Sequence, residues 1–219
     1  MTDRECSKWN QVCADAVWPV ISEALGGGDI EVTGGVFDQQ CDIDAVQKVH
    51  VGLRSLNLRI QWDKPGYDEF ETFTVRYQCA SGKPTEHHKI MAALDNGAMI
   101  SDIRVHCYTS RPRGLGFVKR IAVARTLDLG RYIKWYNYER IVPLHDEDGK
   151  QFGVVSWRSM MNMEFPVLIW LGGTSTSPPR MKDYCRQWDD EFVFGSRPTV
   201  HIHRFSKKSS KLVGVQVEA

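Results

Sequence analysis

Strict alternation of apolar and polar side chains over two stretches constrains this chain most. Between Leu53 and Trp62, Leu56, Leu58 and Ile60 fall on one side and Asn57, Arg59 and Gln61 on the other. Between Phe70 and Tyr77, Phe73, Val75 and Tyr77 oppose Thr72, Thr74 and Arg76. A period of two is that of a β-strand with one face buried. Just upstream the period changes. Trp9, Val12, Cys13, Ala16, Val17, Val20, Ile21, Ala24 and Leu25 recur at i, i+3, i+4. That spacing predicts an amphipathic helix with Ser7 as N-cap, a kink at Pro19 and a stop at the glycines 26–28. Glu23 falls at the margin of its buried stripe.

Shorter strands are predicted over Ile30 to Val36 and Ile43 to Val51. The turn Ser81-Gly82-Lys83-Pro84 leads into a helix over Thr85 to Leu94 and a strand over Ile100 to Tyr108. The order helix, strands, helix, strand is that of an α/β fold with a mixed sheet. Beyond Arg111 the pattern gives a strand over Phe117 to Thr126, a helix over Leu127 to Tyr138 and two extended pieces around the turn Asp146-Glu147-Asp148-Gly149. A buried strand over Phe165 to Trp170, a loop over Thr174 to Pro179 and a frayed end from Ser206 complete it. With no clean linker, residues 1–110 read as an α/β core and 111–219 as a basic C-terminal extension packed on the same domain.

The composition excludes several classes of protein. Hydrophobic residues at 42% and charged residues at 25% rule out collagen-like and wholly disordered chains. No apolar run approaches the roughly 18–20 residues of a membrane span. The start, MTDRECSKWN, is polar, and six cysteines lack any C-x-x-C pair. They read as reduced thiols in a cytoplasmic protein with no membrane partner. GxxxxGK[ST], GxGxxG and GxSxG are missing.

The net charge is +1, but its distribution is uneven: Arg111 to Arg140 holds eight basic residues against Asp128 and Glu139. Lys119, Arg120, Arg125, Arg131 and Lys134, with Arg59 and Arg76, are the candidate nucleic-acid contacts, and the tail adds Arg204, Lys207, Lys208 and Lys211. A solvated surface of mixed sign is the competing reading of the belt. Trp135, Tyr136 and Tyr138, beside Lys134 and Arg140, suit base stacking or a core or assembly interface.

Acids gather in FDQQCDIDAV, where Asp42 and Asp44 share a face if the segment is extended; Asp38 and Asp42 also suit turns. Glu86 and Lys89 share one face of the next helix, although a carboxylate there also suits a helix N-terminus and a lysine a solvated face. Carboxylates with an amide and a lysine can hold Mg²⁺ through oxygens, activate a water and stabilise developing charge. His201 and His203 form a lone H-x-H, and His87 and His88 diverge on a helix.

This order of elements, with Asp44 on the second strand and a polar pair two apart on the third, resembles the PD-(D/E)xK restriction-endonuclease-like superfamily. The resemblance covers about residues 5–110 and implies an αβββαβ core with a mixed sheet and a C-terminal extension. It places Asp44 at the metal-binding acid, Arg59 and Gln61 at the (D/E)xK positions and Glu23 at the first-helix acid. Arg59 departs from the acid the family carries; Glu86 and Lys89 would replace the missing acid and lysine from the neighbouring helix. The implied activity is metal-dependent phosphodiester hydrolysis of nucleic acid. Asp44, Gln61 and Glu86 would be metal ligands, Asp44, Glu86 and Lys89 the catalytic groups and Mg²⁺ the cofactor. The alternatives are an inactive relic, or a nucleic-acid-binding or assembly subunit whose network of Asp44, Arg59, Arg76 and Glu86 is structural. Such a subunit would have a protein partner or a second copy. A small-molecule or protein-binding scaffold is the third reading.

Overall fold

The computed structural model describes residues 17–22, 25, 28–49, 52–62, 71–79, 82–109, 118–143 and 149–171, with the backbone of 201–204 and 213–216. The chain is an α/β protein with a mixed sheet. In chain order its elements are α1 (17–22), β1 (Ile30–Val32), α2 (Val36–Cys41), β2 (Ala45–Val49), β3 (Gly52–Trp62) and β4 (Thr72–Gln78). Then follow α3 (Glu86–Asn96), β5 (Ile103–Thr109), β6 (Val118–Arg125), α4 (Thr126–Tyr136), β7 (Arg140–Pro143) and β8 (Gln151–Ser156). The last are α5 (Trp157–Asn162), β9 (Leu168–Leu171), β10 (His201–Arg204) and β11 (Val213–Gln216).

Among the described residues the strands form two sheets. The larger runs β1-β2-β3-β5-β6-β9-β10-β11, and the smaller β4-β8-β7. In the larger sheet β3 and β5 are parallel, as are β9 and β10; the other neighbours are antiparallel. A parallel pair needs a crossover, and β4 with α3 supplies the one between β3 and β5. Residues beyond 110 extend the same two sheets, β6 and β9 alongside β5 and β8 alongside β4.

The alternation read in the sequence sets the layers. Leu56, Ile103, Val105, Cys107, Ile121 and Val123 face α1, where Val17, Trp18, Ile21 and Leu25 meet them. Arg54 Nη1 donates to Leu25 O (3.3 Å) and Gln47 Oε1 (3.2 Å), tying the end of α1 to β3. The opposite face holds Tyr108, Ala122, Ala124 and Ile169, covered by Phe73, Val75 and Val155 of the small sheet and by Ile90, Leu129, Ile133, Trp157 and Met160 of the helices. Each large apolar side chain so buried is worth about 1.5–3 kcal/mol. Gly130 lets α4 lie against α3, since a Cβ there would sit 2.6 Å from Ile90 Cγ2 and 2.9 Å from Leu94 Cδ1.

Three segments differ from the sequence expectation. The strand expected to Val36 ends at Val32, and six residues from Val36 form α2, a helix too short to show a period. Asp42 is its left-handed C-cap (φ 58°), so Asp42 and Asp44 do not share a strand face. The frayed end instead contains β11, paired antiparallel with β10. The expectations for Ser7, Glu23, Arg111, Arg113 and the Thr174 to Pro179 loop lie outside the described residues, as do the side chains of His201, His203 and Arg204 and the tail lysines.

Candidate functional site: a carboxylate–guanidinium network between β3, β5 and α3

Register creates the site. Parallel pairing sets Asn57 beside Arg104, Arg59 beside His106 and Gln61 beside Tyr108. Ile103, Val105 and Cys107 take the α1 side, so Arg104, His106 and Tyr108 point into the other layer. There α3 begins. Thr85 is its N-cap: its N–H donates to His88 Nδ1 (3.3 Å), while its hydroxyl donates outward to Tyr77 O (3.1 Å), which leaves Glu86 in the first turn, aimed at the sheet.

Glu86 is held on both oxygens. Arg59 Nη2 donates to Oε1, while Arg104 Nη1 (3.1 Å) and the Arg76 backbone N–H (2.9 Å) donate to Oε2. Arg104 has no exposed side-chain surface, and its Nη2 reaches Asp42 Oδ2 at 2.5 Å. Lys89 Nζ lies 3.8 Å from Asp42 Oδ1 and 3.5 Å from Asp38 O, so the lysine belongs to Asp42. Burial opposes ionisation of Glu86, but Arg59, Arg104 and the Arg76 N–H outweigh it and hold the carboxyl well below its usual range. Asp42 is shifted up by burial, with Arg104 pulling against it. His106, edge-on to the Phe73 ring at 5.1 Å, is kept neutral by burial and by Arg59 and Arg104.

Asp44 stands beside this network. Its Oδ2 accepts from the Leu58 N–H (2.6 Å) and Asn57 Nδ2 (3.0 Å), and burial pushes its carboxyl up to about 6. Gln61 is turned away toward the small sheet, where Nε2 donates to Thr74 Oγ1 at 2.8 Å. The Arg59 guanidinium also covers the Phe152 ring, 5.0 Å from its centroid.

The structure thus brings Arg59, Glu86, Asp42, Lys89 and Arg104 together, with Asp44 adjacent and Gln61 apart. Arg104 and Asp42 are the members that sequence reasoning missed or underweighted; the alternation Arg104, His106, Tyr108 against Ile103, Val105, Cys107 was the available signal for Arg104. This donor set does not fit a divalent cation. A metal at Glu86 would have to displace a guanidinium, Gln61 is tied to Thr74 of the small sheet, and among the described residues no three His, Cys, Asp or Glu side chains are grouped to hold a metal.

The basic belt is dispersed. Arg125 and Arg131 both pair with Asp128 (2.7 and 2.8 Å), Lys134 pairs with Asp95 (2.5 Å), and Arg120 stacks on Tyr108 at 5.3 Å. Lys119 is half-buried on β6, and Arg76 is exposed on β4. Tyr138 leaves the aromatic group expected near Lys134: its hydroxyl meets His87 Nδ1 (2.9 Å), and its ring stands edge-on to Tyr77 at 5.6 Å. No helix among the described residues is long and apolar enough to cross a membrane.

These features define an α/β protein with a closed charge network between its sheet and its second layer. No protein-family model, curated protein or solved structure matches the chain.

Proposed function

We propose that this protein is a non-catalytic nucleic-acid-binding subunit built on a restriction-endonuclease-like core. The order of α1, β1 to β3, α3 and β5, with β4 diverted into a second sheet, supports that core. On this reading Asp44, just before the second strand, and Arg59 and Gln61, on the third, would correspond to the positions that such a core gives to its metal-binding groups. One observation carries the non-catalytic reading: both oxygens of Glu86, the acid that would complete a hydrolytic centre, are held by arginines. Two acids, two arginines and a lysine make a nearly self-neutralising cluster, as a buried structural network should be. The excess of cations on β6 and α4, Lys119, Arg120, Arg125, Arg131 and Lys134 against Asp128, supports a nucleic-acid partner, although most of these cations have partners within the chain.

Circular single-stranded DNA and RNA, incubated with the full chain and Mg²⁺, Mn²⁺ or EDTA, test this. The expected result is binding that weakens steeply with salt and leaves the circles intact under every condition. Metal-dependent nicking that disappears in Asp44→Ala would establish the hydrolytic alternative in its place.

A further inference from the structure

We propose that His106 is an acid-sensitive latch between the two sheets: it keeps the small sheet on the larger one while its ring is neutral and releases it when the ring takes a proton. The device is independent of the nucleic-acid reading.

The latch sits at a seam. Among the described residues no strand of the small sheet pairs with a strand of the larger, so side chains join the two. Phe73, Val75 and Val155 of the small sheet close over Tyr108, Ala122 and Ala124. Tyr108 Oη donates to Thr72 O at 2.8 Å, and Gln61 Nε2 to Thr74 Oγ1 at 2.8 Å. Layers joined in this way can part without breaking the backbone ladder of either. His106 is wholly enclosed in the seam, with Arg59 in register on β3, Ala122 in register on β6 and the Phe73 ring edge-on at 5.1 Å.

Its surroundings disfavour a third cation. Among the described residues the charged groups that face it are Arg59 on β3, Arg104 on the same face of its own strand and Glu86 on α3, while β4 brings Phe73 and the Thr72 backbone. Glu86 is already shared by the two arginines and the Arg76 N–H, and Asp42 by Arg104 and Lys89. A proton on the imidazole would therefore place a new positive charge beside two guanidiniums and out of water. Parting the seam hydrates the ring and lets it charge. Burial, then Arg59 and Arg104, hold the enclosed imidazole well below its ordinary pKa of ~6.5. The open state binds a proton that the closed state refuses, so the latch holds fully above ~6.5 and weakens as the pH falls below it.

The indole N–H of Trp157 reports the opening. It is buried in the same seam, with its ring 6.1 Å from Phe73 and 5.7 Å from Tyr108. Its hydrogen exchange is followed by NMR in the full chain from about pH 7.5 to about pH 5, in wild type and in His106→Phe, which keeps a ring against Phe73 but takes no proton. The ratio of wild-type to variant rates should be level above ~6.5 and rise about tenfold for each pH unit below it. Asp44 titrates in both proteins, so the ratio isolates His106. The half-buried His87 is also shifted down, by burial and by His88, and His87→Gln should leave the rise in place. His106→Gln gives the same comparison should the phenylalanine variant fail to fold. A ratio that does not change with pH would overturn the latch. So would a charged His106 ring in the folded wild type at about pH 5, read from its ¹⁵N shifts, whichever variants fold.

Discussion

Arg104 and Glu86 meet across the gap between β5 and α3, Nη1 to Oε2 at 3.1 Å, with the arginine side chain wholly enclosed. Arg104 also pairs with Asp42, so a single guanidinium serves two acids whose ionisation burial opposes.

Arg104→Ala should therefore cost about 3–5 kcal/mol, because it strands partly paired charge in the interior. Urea unfolding at pH 7 gives the value. Glu86→Gln in the same background should recover part of it, since the two losses share one interaction. A cost under about 1 kcal/mol would contradict the network. The Glu86 carboxyl, held low, contributes its stability above its unfolded pKa near ~4.3 and loses it as pH falls through the lower folded value.

Asp44 behaves oppositely. Its folded pKa of about 6 exceeds the unfolded carboxyl value. The folded state therefore keeps a proton that the unfolded chain has already released. Its contribution to stability is full below ~4 and is lost as pH rises through the folded value. Asp44→Asn removes this titration and keeps an oxygen for the Leu58 N–H. The variant should match wild type near pH 4 and exceed it by about 2–3 kcal/mol at pH 7. A difference independent of pH would refute the assignment.

Gly130→Ala sets helix propensity against packing. Alanine gains up to about 1 kcal/mol in a helix interior. The added methyl would lie 2.6 Å from Ile90 Cγ2 and 2.9 Å from Leu94 Cδ1, on buried or half-buried side chains of α3. Overpacking of that degree costs about 1–3 kcal/mol, so the melting temperature should fall. A rise would show that α3 and α4 separate freely.

Gly153 lies under the Tyr138 ring, whose Cε1 would be 2.3 Å from an added Cβ. Gly153→Ala should displace the ring and break the Tyr138–His87 hydrogen bond, lowering stability by about 1–3 kcal/mol. Adding Tyr138→Ala should make the Gly153 change nearly neutral, since the obstacle is gone. Strictly additive losses in this thermodynamic cycle would place the ring elsewhere.

Which residues share a face was already legible in the order of the amino acids. Leu56, Leu58 and Ile60 parted from Asn57, Arg59 and Gln61, and α3, β5, β6 and α4 fell near their predicted places, because period two and period 3.6 are local properties of the chain. Which charges meet depends on long-range pairing. Parallel register between β3 and β5 put Arg104 beside Asn57, and the capped start of α3 swung Glu86 onto two guanidiniums. A six-residue helix ending in a left-handed Asp42 brought that acid, rather than Asp44, to Arg104 and Lys89. Partners separated by 18 to 62 residues are selected by strand register and helix docking, which no local periodicity encodes.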